Sequence, residues 1–196
     1  MNHYNLEVNR LNIGEQLVSD YLECINNCDF IQKNLQISEN QGEIDVIGIN
    51  LKNKEIFVCE VAINLTSGLQ YTKSGKPNNV DKICEKFTRD IEYTHKYFPD
   101  YKHYFMFWTP VVKNTPNAKN NQMKDVRDIK ARILEKYGVD IDFIINHEFL
   151  KRIYELKTYA KEQTKELKSP VLRILQIDEH LKKFTNKKSS KIVLDE

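Results

Sequence analysis

Two acidic residues interrupt apolar, β-branched runs: Asp45 in GEIDVIGIN, residues 42–50, and Glu60 in EIFVCEVAI, residues 55–63. On a strand, residues two apart share a face, so Val58, Glu60 and Ala62 point one way while Phe57, Cys59, Val61 and Ile63 point the other. The short polar connection LKNKE favours antiparallel neighbours and can set Asp45 close to Glu60. Two carboxylates side by side in an apolar sheet repel each other, and each has its pKa raised, unless a cation neutralises them. A hard divalent ion held by oxygen ligands answers that need, and magnesium usually takes few protein carboxylates plus waters. Either acid alone reads better as a salt-bridged core group or as part of a frayed edge. The pair, on adjacent strands after a helix that carries Glu15, is harder to dismiss and points to metal-assisted chemistry.

Several elements must position this pair. IGEQLVSDYLECINN, residues 13–27, sets Ile13, Leu17, Tyr21, Leu22 and Ile25 at helical spacing, with Glu15 and Gln16 beside that face. DFIQKNLQI alternates as an edge strand does and stops at a polar turn over Ser38 to Gly42. The two acid-bearing runs have apolar residues of both parities, which predicts central strands with helices packed on each side. A helix is predicted from 79 to about 97, with Val80, Ile83, Phe87, Ile91 and Phe98 as its stripe and Asn78 or Asn79 as its cap. A buried strand follows at 103–112, then a helix at 122–137 that ends at Gly138, a strand at 139–146, and helical chain over 147–185 broken before Pro170. A meander followed by crossovers predicts an α/β fold, a mixed β-sheet sandwiched by helices. The expected organisation is a core over 1–146, a C-terminal helical extension of the same domain over 147–185, and a basic tail over 186–196.

Composition bounds the reading. A chain of 196 residues with 40% hydrophobic content suits one domain, and it has no apolar run near the roughly 18–20 residues of a membrane span. The amino terminus MNHYNLEVNR lacks the features of a secretion signal, so the expected location is cytoplasmic. Four cysteines without a close knuckle read as buried free thiols rather than a zinc set. A net charge of +2 does not announce nucleic-acid binding, so the distribution of charge carries that question. Lys73 and Lys76 sit in a Gly-containing loop with Tyr71 and suit phosphate contact better than chemistry.

Together, IGEQLV at the first helix, GEIDVIGIN after a turn, and EIFVCEVA resemble the PD-(D/E)xK nuclease superfamily, also called restriction-endonuclease-like, over roughly residues 13–110. The resemblance implies that Asp45 and Glu60 bind magnesium, that the Val61 main-chain carbonyl adds a ligand, and that Glu15 assists from the helix. The family lysine belongs two residues after the Glu, where this chain has Ala62. Some members with a displaced lysine supply it from the following helix, and Lys82 and Lys86 in DKICEKF lie one turn apart there. Lys86 is the favoured substitute, because Phe87 beside it pins that turn, and Lys82 is the alternative.

The function so implied is a Mg2+-dependent DNA endonuclease hydrolysing phosphodiesters, with Mn2+ as a substitute ion, in a restriction or defence setting. DNA is then the partner, and a homodimer suits the cutting of both strands of a duplex. The rival expectation is a nuclease-fold protein that has lost catalysis, with Ala62 as the scar, serving as a nucleic-acid-binding or accessory scaffold subunit.

Overall fold

Asn12 opens the first helix, α1 (Ile13–Cys24), its side-chain oxygen accepting the N–H groups of Gly14 and Glu15. The computed structural model describes residues 12–37, 42–116 and 120–185. The buried face of α1 is centred on Val18, Tyr21 and Leu22, while Ile13 is 51% exposed. The apolar stripe is therefore rotated from the one that Ile13 and Leu17 suggest, because the helix packs on the sheet through its middle turns.

Five strands form one sheet in the order β1 (Phe30–Ile37), β2 (Gly42–Asn50), β3 (Glu55–Val61), β6 (Lys102–Thr109), β7 (Ile141–Ile145). The first three form an antiparallel meander, and β3, β6 and β7 run parallel, so the sheet is mixed. Between β3 and the second helix, α2 (Asn79–Tyr97), a small hairpin pairs β4 (Thr72–Lys73) with β5 (Lys76–Pro77). The remaining helices are α3 (Gln122–Tyr137), α4 (Asn146–Glu162) and α5 (Pro170–Thr185). The turn expected over Ser38 to Gly42 lies outside the described residues except for Gly42, as does the tail from 186.

The crossover helices α2 and α3 cover one face, burying Ile83, Phe87, Ile91, Val126, Ile129 and Ile133 against Ile56, Val58, Phe105 and Phe107. Helices α1, α4 and α5 cover the other, packing Val18, Leu22, Leu156 and Leu172 on Val46, Phe57, Cys59 and Trp108. Burying each such side chain contributes about 1.5–3 kcal/mol, so the two-sided core holds α2 firmly over β3. The strand predicted over 103–112 ends at Thr109, because Pro110 has no N–H to continue the ladder. Gly138 takes the left-handed conformation that closes α3, as its position after Tyr137 predicts. Among the described residues, no helix is long and apolar enough to cross a membrane.

Candidate functional site

The β2–β3 ladder runs from Asn50↔Glu55 to Val46↔Cys59 and stops one step short of Asp45 and Glu60, which that register sets opposite each other. There the Asp45 side chain takes over from the backbone, its Oδ2 accepting the Val61 N–H at 2.7 Å. Glu60 is fully buried on the face covered by α2, the same face as Ile56 and Val58. Asp45 is almost as enclosed, and the two carboxyl groups lie at the carboxyl end of β3.

Helix α2 supplies the counter-charges. The Lys86 ammonium makes an ion pair with Glu60 Oε2 and lies 3.5 Å from Asp45 Oδ2. One turn on, Arg89 Nη2 is 3.5 Å from Glu60 Oε1 and 3.1 Å from Asp90 Oδ1, and it donates to the Glu43 carbonyl at 2.6 Å. Lys86, Arg89 and Asp90 are spaced three and four apart, so they share the helix face turned to the sheet. Phe87 is fully buried beside them and fixes the rotation of that turn.

Burial raises the Glu60 carboxyl well above its ordinary range, with the nearby Asp90 and Asp45 charges adding to it and Lys86 opposing. Asp90 is likewise raised by burial, and its Oδ2 has no donor among the protein's described groups. Burial works against the Lys86 charge, yet Glu60 and Asp45 outweigh it and hold the ammonium protonated above its ordinary range.

Glu15 reaches the margin of this cluster. It is paired with Asn12 and accepts from Asn34 Nδ2 at 3.1 Å, and its pKa is raised by burial and by the Asp45 charge. Asn34 occupies the β1 position opposite Asp45, with φ of 52°. Gly14 lets α1 approach so closely, since a Cβ there would lie 2.3 Å from Ile63 Cγ1 and 3.1 Å from Val61 Cγ1.

The other predicted residues stand apart. Lys82 is half-exposed and paired with Glu85 at 3.2 Å, so the choice between the two helix lysines falls on Lys86 as the one at the carboxylates. Lys73 and Lys76 face each other across the small hairpin, both exposed, on either side of a tight turn in which Ser74 and Gly75 both have positive φ. The hairpin is rooted by Tyr71, whose N–H binds Asn79 Oδ1 and whose carbonyl accepts from Asn78. Asn79 thus braces the loop and donates to Asp125 at 2.8 Å, and Asn78 makes no side-chain cap. Tyr71 packs against the core that α2 covers, beside a cleft of about 370 Å3.

Sequence reasoning missed Arg89 and Asp90. The signal was present in their spacing from Lys86, but it becomes visible only once α2's rotation is fixed. The sequence called for a metal at Asp45 and Glu60 and for a lysine, Lys86 or Lys82, brought near them; in the fold, Lys86 and Arg89 supply much of the counter-charge.

Compared with family models, curated proteins and solved structures, the chain finds no match. The site is therefore read from its own geometry. Three carboxyl groups, Asp45, Glu60 and Asp90, face two cations, Lys86 and Arg89, so one negative charge is uncompensated when all ionise. The Asp45 and Glu60 oxygens at a strand end, with a residual negative charge, fit a hard divalent cation. Among the described residues, no three His, Cys, Asp or Glu side chains converge as a metal-ligating group. An ion here would rest on Asp45, Glu60 and the main chain, with water completing its shell.

Proposed function

We propose that the chain is a Mg2+-dependent DNA endonuclease of restriction-endonuclease-like fold, able to use Mn2+. The observation that carries this reading is the Lys86 ammonium, set between Glu60 and Asp45 by the helix that follows β3. It offers the positive charge that Ala62 lacks, at the two carboxylates that the PD-(D/E)xK resemblance singles out.

Asp45, Glu60 and the Val61 carbonyl would hold the ion, which supplies Lewis-acid polarisation of the scissile phosphate and a lowered pKa for bound water. Asp45 is pre-oriented by the Val61 N–H. Lys86 stays protonated through neutral pH, so its role is to donate hydrogen bonds and stabilise charge on the phosphate rather than to accept a proton. Glu15, tied to Asn34, supports the β1 side of the site. Lys73 and Lys76 on the projecting hairpin are placed for phosphate contact, and a homodimer would bring two such sites to the two strands of a duplex.

Plasmid cleavage with magnesium or manganese tests this, comparing wild type with Asp45→Ala, Lys86→Ala and Lys82→Ala. Cutting should require Asp45 and Lys86 and survive loss of Lys82. No cutting under any condition, or equal cutting by Asp45→Ala, would sink the proposal.

One observation favours the second reading, a nuclease-fold scaffold without catalysis. Lys86 and Arg89 already neutralise much of the buried charge, so the cluster can serve as an internal ion-pair network that fixes α2 on the sheet. DNA affinity that survives Asp45→Ala without any cleavage supports that reading instead.

A further inference from the structure

We infer that Arg89 is a positioning residue for the carboxylate pair, and that Gly42 belongs to the site because it makes room for the Arg89 guanidinium. This assignment rests on the metal-ion reading above. Arg89 touches Glu60 Oε1, Asp90 Oδ1 and the Glu43 carbonyl with one nitrogen, Nη2, and its Nε also donates to Asp90 at 3.2 Å. It thereby fastens the start of β2, the end of β3 and the middle of α2 at a single point. The arrangement is asymmetric about Glu60: Arg89 engages Oε1 while Lys86 engages Oε2, so Arg89 sets which oxygen faces Asp45.

The floor of this contact is Gly42. A Cβ there would lie 2.3 Å from Arg89 Nη1, 2.4 Å from Cδ and 2.6 Å from Cζ, so any side chain would have to evict the guanidinium. The φ of Gly42 is not in the left-handed region, so the requirement is for space and not for backbone freedom. Lysine cannot substitute for Arg89 here, because a single ammonium on a flexible stem does not reproduce the planar fork that joins three partners.

Two charge-conserving substitutions test the idea. Manganese binding to the free full-length protein is measured by calorimetry for wild type, Arg89→Lys, Gly42→Ala, the double variant, and Asp45→Asn as the control without a ligand. Partners that orient metal ligands typically contribute 10–100-fold to metal affinity. Arg89→Lys and Gly42→Ala should each weaken manganese binding by about tenfold or more. The double variant should lose little beyond either single one, because both act through the same guanidinium. Melting temperatures in a chelator are read alongside, since a purely structural role would lower them and leave manganese affinity unchanged. Wild-type binding with both single variants within about twofold of it would overturn the Arg89 assignment alone. Absence of manganese binding by the wild type would overturn the metal reading and this assignment with it.

Discussion

Lys86, on the crossover helix α2, makes its ion pair with Glu60, which lies 26 residues earlier at the end of β3. Glu60 is fully buried, and this ammonium, with Arg89, offsets part of the cost of a charge there. Removing one partner of a buried pair leaves the other charge stranded, which costs about 3–5 kcal/mol. Lys86→Met should therefore destabilise the chain by about that amount in urea unfolding near neutral pH. Lys82→Met, at a half-exposed surface pair, should stay within about 0.5 kcal/mol of wild type. Equal effects of the two substitutions would contradict the placement of Lys86 at the carboxylates.

Glu60 and Asp90 bind protons more tightly in the folded chain than in the unfolded one, chiefly because of burial. The folded state therefore carries the extra protons, and stability must fall as pH rises. That contribution is complete below the ordinary carboxyl range near about pH 4. It is lost as pH rises through about 6, where burial pushes Asp90, and the raised Glu60 carboxyl acts in the same direction. Asp90→Asn keeps the shape but removes one of the two buried acids, so it should flatten the decline between about pH 4 and 6. Urea midpoints across that range report the slope, and an identical slope in both proteins counts against the raised Asp90 carboxyl.

Gly14→Ala should lift the start of α1 from the end of β3, because the new methyl would meet Ile63 and Val61. Overpacking of this kind costs about 1–3 kcal/mol, read as a lower melting temperature. Glu15 would move with the helix and lose its hydrogen bond from Asn34, so crystal or NMR comparison should show that contact broken.

The β4–β5 hairpin makes a separate prediction. If Lys73 and Lys76 meet phosphates, replacing both by Gln should weaken DNA binding for all sequences alike and reduce the slope of log affinity against log salt by about two units. An unchanged slope would remove the hairpin from the interface.

Much of the scaffold was legible in the sequence because its signals are local. Gly138 ended α3 where an αL glycine must, and the alternation around Glu60 identified the face it occupies. The opposition of Asp45 and Glu60 followed from a short connection between two strands, which leaves little freedom in register. Arg89 and Asp90 were not legible, because their meaning depends on the rotation of α2, and that is set by Ile83, Phe87 and Ile91 packing on strands far away in sequence. The rotation of α1 escaped for the same reason: Ile13 belongs to an apolar pattern, yet it is exposed while Val18, Tyr21 and Leu22 are buried. The hairpin inside the loop after β3 was missed because its strands are only two residues long.

A lysine carried on β3 itself would be in place as soon as β2 and β3 paired. Here the ammonium arrives on a helix that follows a loop and the small β4–β5 hairpin. The β2–β3 pair can thus zip while Asp45 and Glu60 still face each other as like charges, and α2 brings relief only when it docks. Docking of α2 therefore relieves a like-charge contact at the open end of the β2–β3 ladder, the end away from its connecting turn.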